Sequence, residues 1–120
     1  MPEPFSLSAR MKSFGYAFHG LATLLREQHN ARIHLLATVC VVIAGVWLDV
    51  STRDWQVLLL AVTLVWVAEA LNSALEYLCD ALVPEQNPLI GKAKDVAAAG
   101  VLLCAGFAVV VGLLVIVPYF

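Results

Sequence analysis

Three apolar stretches, each long enough to cross a lipid bilayer, take up most of this 120-residue chain. A helical span needs roughly 20 residues, at about 1.5 Å each, to cover ~30 Å of hydrocarbon. Residues 30–49 supply one such run, interrupted near its start by Arg32 and His34. Residues 55–75 supply a second, opened by Trp55 at one interface, and residues 96–117 a third that carries no charge. Composition agrees: 62% of residues are hydrophobic and 13% charged, against roughly 45–50% and 25% for soluble domains. A chain this small has no interior large enough for so much apolar surface, so lipid must take the remainder. The expected fold is therefore all-α, a single membrane domain over residues 1–120.

Ahead of the first span, Leu7, Met11, Phe14, Phe18, Leu21 and Leu25 recur at steps of three and four. They form one stripe of a helix over residues 7–27, too interrupted to span and suited to lying in the membrane interface. Residues 1–8 lack the basic-then-apolar order of a cleavable signal peptide. Six of the seven basic residues (Arg10, Lys12, Arg26, Arg32, Lys92 and Lys94) fall before or at the very start of the first span, or between the second and third, and Arg53 alone falls elsewhere. That asymmetry places the N-terminus and the second loop in the cytoplasm. The segment 82–95, with Pro84 and Pro88, reads as that loop, and residues 49–54 as a short polar turn. Cys40, Cys79 and Cys104 stand singly and read as reduced packing residues. With a net charge of −2 and no basic run, nothing points to a nucleic-acid partner.

A charge inside a span costs about 2.5–3.5 kcal/mol on insertion scales, so each one needs a reason. Glu69, Asn72, Glu76 and Asp80 follow one another at three, four and four residues. At ~100° per residue they share an arc of about 80°. They make a polar face running from within the second span to its cytoplasmic end, where Lys94 and Asp95 enter from the third. Carboxylates suit magnesium, which takes one or two of them together with substrate phosphates. A lysine suits a phosphate as a point charge. Glu69, the deepest, suits a general base. The plain alternative is that these groups pair with one another and with Arg32 or Lys94 to hold helices together. There is no G-x-x-x-x-G-K-[ST] loop. On the residues alone the chain carries a membrane-embedded acid–base and metal site facing the cytoplasm, and a carboxylate-lined proton or ion carrier fits as well as an enzyme. His34 reads as a packed, hydrogen-bonded residue near the interface, and His19 as a group on the polar side of the surface helix.

E-A-L-N-S-A-L-E-Y-L-C-D at residues 69–80, followed by P-L-I-G-K-A-K-D-V-A-A-A-G-V-L-L at 88–103, resembles the signature of the bacterial diacylglycerol kinase/undecaprenol kinase family. K-S-F-G-Y-A-F-H-G-L at 12–21 and N-A-R-I-H-L-L-A at 30–37 are similar to the same family. The resemblance implies a small lipid kinase of the bacterial inner membrane, working as a homotrimer with active sites between subunits. It implies ATP as phosphoryl donor, Mg2+ as metal and a membrane lipid alcohol as acceptor. By position, Glu69 matches the family's base for the lipid hydroxyl and Asn72 a residue that positions substrate. Glu76 matches a metal ligand that also meets the nucleotide. Arg10, Tyr16, Asp80, Glu85, Lys94 and Asp95 match nucleotide contacts. The chain departs from the pattern in two places. Gln28 stands where the family has its second metal-binding glutamate, so neighbouring Glu27 is assigned that role. Asn87 stands where the family often has histidine. The stretches 30–35 and 88–100 look closer to the undecaprenol branch, and small Ala97, Ala98, Ala99 and Gly100 leave room for a bulky chain. An inactive scaffold that keeps the fold is the remaining alternative.

Overall fold

The computed structural model describes residues 2–120. It consists of α1 (Leu7–Glu27), α2 (His29–Trp47), α3 (Thr52–Leu82) and α4 (Pro88–Ile116), closed by a short 3-10 turn, Val117–Tyr119. The last three helices are each long and apolar enough to cross a membrane.

The breaks between helices have local causes. Ser6 caps α1 by accepting a hydrogen bond from the Ala9 amide at 3.2 Å. One extended residue, Gln28, separates α1 from α2. Helix ends leave their last carbonyls without partners, and here Arg32 of α2 reaches back to them. Its Nε donates to the Leu25 carbonyl at 2.9 Å and its terminal nitrogen to the Arg26 carbonyl. Arg32 thus spends its donors on backbone, not on the carboxylates with which simple helix pairing would join it. After α2, Asp49 adopts a positive φ of 51°. Its amide donates to the Val46 carbonyl at 3.2 Å and the Val50 amide to Gly45 at 3.1 Å, the pairing of a Schellman motif. Ser51 then accepts from the Asp54 amide at 3.1 Å and starts α3.

The connection between α3 and α4 is shorter than the loop expected over 82–95. α4 begins at Pro88, because Asn87 accepts from the Leu89 amide at 2.9 Å and proline's fixed φ suits a first helical turn. Lys94 and Asp95 consequently stand on the second turn of α4. α3 runs to Leu82, past the expected end at 75, and its 31 residues make a rod of about 46 Å at ~1.5 Å per residue. That exceeds the hydrocarbon thickness of ~30 Å. One unbroken helix therefore carries the polar face from apolar depth out to the surface.

α3 and α4 pack along each other, and α2 leans on α3. Leu58, Ala61 and Val65 of α3, Ala31 and Gly45 of α2, and Val101 and Val111 of α4 are buried. Gly45 is required by that packing, since a Cβ there would lie 2.5 Å from Cη2 of Trp55. Elsewhere the surface is apolar: Leu102 and Leu103 are 73% and 74% exposed, as a lipid-facing wall requires. α1 rests against α2 and keeps Leu7, Met11, Phe14 and Phe18 exposed.

Candidate active site

Glu69 is the most constrained polar group in the chain. Its side chain is 1% exposed, wedged on α3 between Val65 and Ser73. Ser73 Oγ donates to Glu69 Oε1 at 3.3 Å. Glu69 Oε2 lies 3.4 Å from His34 Nε2 across the α2–α3 seam. The two atoms are within ion-pair distance but are not aligned for a hydrogen bond, so both remain without a hydrogen-bond partner. One turn along, Asn72 Nδ2 donates to Glu76 Oε1 at 3.4 Å, while Asn72 Oδ1 is buried and unpartnered. An unmet buried polar group costs about 1–3 kcal/mol. His34 Nε2 and Glu69 Oε2 stand within reach of each other, which leaves Asn72 Oδ1 as the buried acceptor that, among the described residues, no protein group faces.

His34 is held in position by its neighbours. Trp66 Nε1 donates to Thr38 Oγ1 at 2.9 Å, and Thr38 Oγ1 donates to the His34 carbonyl at 2.7 Å. The Trp66 ring also meets the imidazole edge-on, at 6.4 Å between centroids and 69° between planes. Beside His34 a cavity of about 460 Å³ opens between α2, α3 and α4, lined by Ile33, Thr38, Val62, Val65 and Ala108 among others. Apart from His34 and Thr38 its lining is aliphatic. The deep end of the polar face therefore borders an apolar groove.

The shallow end is charged. Lys94 Nζ donates to Asp80 Oδ1 at 2.6 Å, joining α4 to α3. Asp80, Glu85, Asn87, Gly91 and Lys94 line a cleft of about 580 Å³ between the end of α3 and the start of α4. Glu27, exposed at the end of α1, is tied to α3 because Tyr77 OH donates to its Oε1 at 3.1 Å. Gln28 Nε2 donates in turn to Tyr77 OH at 3.1 Å. Glu27 thus docks on α3 beside the residue that follows Glu76.

Asn72 is bonded to Glu76, Glu69 stands on the same helix face before them, and Asp80, Glu85 and Lys94 share the cleft. Arg10, Tyr16 and Asp95 are exposed, and among the described residues their side chains make no hydrogen bond or ion pair. Sequence reasoning does not find three supporting groups: Ser73 and His34 on Glu69, and Tyr77 on Glu27. Ser73 was discoverable, four residues after Glu69 on the same face. His34 and Tyr77 act across helix seams, which no spacing rule reveals. Among the described residues no cluster of three His, Cys, Asp or Glu side chains forms a closed metal cage. Two carboxylates from different helices, Glu76 and Glu27, are nonetheless a donor set that suits magnesium when phosphates and water complete the shell.

A buried acid–base face, walled by lipid-length helices and opening onto a charged surface cleft, defines an integral membrane protein with an intramembrane polar site. A family model described as prokaryotic diacylglycerol kinase matches residues 15–116. The chain belongs to this family and is a lipid kinase. An undecaprenol kinase of Bacillus subtilis is 31% identical over 112 residues, spanning 93% of this chain and 91% of the relative. A diacylglycerol kinase of Escherichia coli K12 is 34% identical over 100 residues, spanning 83% and 82%. A diacylglycerol kinase of Synechocystis is 39% identical over 107 residues, 88% of this chain and 61% of that longer relative.

Proposed function

We propose that this enzyme transfers the γ-phosphoryl group of ATP to the primary hydroxyl of undecaprenol at the cytoplasmic face of the bacterial inner membrane. The observation that carries this reading is Glu69, a buried carboxylate with one unpartnered oxygen, bordering an apolar groove and sharing a helix face with a charged cleft. A lipid alcohol laid in the groove brings its hydroxyl to Glu69 and Asn72. Lys94 draws the nucleotide phosphates into the cleft with Asp80 and Glu85, and Arg10, Tyr16 and Asp95 complete the nucleotide contacts.

Glu69 takes the hydroxyl proton as the lipid oxygen forms its bond to the γ-phosphorus, and the bond to the departing ADP breaks. Glu76 and Glu27 would hold Mg2+, which neutralises phosphate charge during transfer. Asn72, bonded to Glu76 through its amide, stands between the metal-side carboxylate and Glu69 and positions the lipid headgroup there. Six cytoplasm-directed basic residues support the orientation, and the exposed apolar stripe of α1 supports an interfacial position for it. The fold supports a carrier less well, because on the far side of Glu69 the buried positions of α3 are Val65, Ala61 and Leu58.

Undecaprenol is favoured over diacylglycerol by the motifs at 30–35 and 88–100, and by Ala98 and Ala99, both exposed at the start of the uncharged run of α4, where a bulky chain can pass. The test is phosphoryl transfer from radiolabelled ATP to matched mixed micelles of undecaprenol or diacylglycerol. Undecaprenol should show the higher kcat/KM. A preference for diacylglycerol reverses the lipid assignment, and no transfer to any lipid alcohol removes ATP-driven lipid phosphorylation itself.

A further inference from the structure

Glu69 has a second-helix neighbour whose role the proposed chemistry leaves open. His34 Nε2 and Glu69 Oε2 face each other at 3.4 Å, both unpartnered. Both are held out of water, the side chains being 14% and 1% exposed. The contact made by the imidazole ring itself does not use Nε2: Trp66, anchored by its hydrogen bond to Thr38, meets the ring edge-on. Among the described residues Glu69 is the only acid within ion-pair distance of His34. α4 presents Ala105, Ala108 and Val109 to the cavity beside His34, none of them titratable.

We propose that His34 is a positioning residue for Glu69, its Nε2–H donating to Oε2 while Ser73 donates to Oε1. This rests on the kinase reading for what Glu69 does, though not for the contact itself. A glutamate side chain has several rotamers, and a base is effective only when its lone pair points at the proton it removes. A donor on each oxygen, one from α3 and one from α2, leaves a single orientation. In it, the remaining lone pairs are left for the lipid hydroxyl. A small turn of either side chain closes the 3.4 Å gap into a hydrogen bond, and such bonds commonly tighten only when substrate is bound. His34 keeps its own proton throughout, and the lipid proton ends on Glu69.

The test compares His34→Leu, His34→Gln and Glu69→Gln, singly and combined, in detergent. His34→Leu should lower kcat by about 10- to 100-fold, the range expected for one hydrogen bond to a charged group. KM for ATP and lipid should stay near the parent values. His34→Gln, which retains a donor at the end of a side chain of similar reach, should recover most of the loss. In a Glu69→Gln background His34→Leu should add nothing further. A loss confined to lipid KM, or equal losses for Leu and Gln, makes His34 a mere wall of the groove and overturns the proposal. Elution volume and thermal stability of each variant separate misfolding from a catalytic effect. Histidine side-chain NMR in micelles reads the contact without any turnover: Glu69→Gln should move the His34 imidazole nitrogen shifts, whereas Glu76→Gln should not. Unmoved shifts overturn the contact even if the kinase reading stands, and absent turnover in the parent chain overturns the kinase reading even if the shifts move.

Discussion

At the scale of single residues, the proposed chemistry rests on the contrast between Glu69 and Glu76. Glu69 is buried and meets only Ser73 and His34, whereas Glu76 is half-buried and bonded by Asn72. Burial without a counter-charge suits proton removal, and partial exposure beside a cleft suits metal and phosphate. Glu69→Gln keeps the shape and loses the base, so turnover should fall by roughly 10²–10⁴ while nucleotide binding persists, as measured by ATP titration. Near-normal turnover would move the base elsewhere. Glu76→Gln should both slow the enzyme and raise the magnesium concentration at half-maximal rate. Glu27→Gln should act in the same direction, and Tyr77→Phe more weakly, since Tyr77 only tethers Glu27. If Glu27→Gln leaves the magnesium titration unchanged, another group supplies the second carboxylate.

At the scale of elements, α3 governs the site because it is continuous. Its 31 residues hold Glu69, Asn72, Glu76 and Asp80 in one register, and a kink anywhere between them would separate the base from the cleft. α2 is held against α3 by close packing as well as by the Trp66–Thr38 hydrogen bond. The indole of Trp55 occupies the space a side chain at Gly45 would need, its Cη2 and Cζ2 lying 2.5 Å and 2.7 Å from where a Cβ would stand. Gly45→Ala should therefore destabilise the protein by about 1–3 kcal/mol, the usual cost of overpacking. Trp55→Leu in the same chain should recover part of that loss, since residues in contact do not add independently. Thermal unfolding in a fixed detergent measures both, and additive losses would show that the two side chains do not compete for the same space.

At the scale of the whole molecule, one chain leaves much of the proposed site open. Arg10, Tyr16 and Asp95 lie exposed and, among the described residues, unbonded, and Glu27 is held by Tyr77 at an exposed edge. Three spans give too little protein to enclose a nucleotide and a lipid together, which favours completion of each site by a neighbouring copy in a homotrimer. If the base and the metal carboxylates of one site come from different chains, co-assembling Glu69→Gln with Glu76→Gln protein should restore activity that neither has alone. Crosslinking in mild detergent should give a trimer band. A protein that stays monomeric at full activity would refute the shared site.

Much of this was legible in the sequence, for a physical reason in each case. Apolar runs report membrane helices because lipid is the only solvent that accepts them. The polar face of α3 was readable because residues three and four apart on a helix must share a side. The resemblance of residues 69–80 and 88–103 to the lipid kinase signature added roles to positions already singled out. Only the folded chain revealed where the helices begin and end: Asn87 and Pro88 start α4 inside what reads as loop, and Asp49 accepts a positive φ that its neighbours in sequence do not announce. The partners of the deepest charge were likewise decided by tertiary structure. His34 reaches Glu69 from another helix, and Tyr77 reaches Glu27 across 50 residues of chain. Helical periodicity orders side chains around one axis and contains no information about how two axes are turned toward each other. That rotation is set by packing, here by a glycine that admits an indole and by an arginine that closes the end of α1.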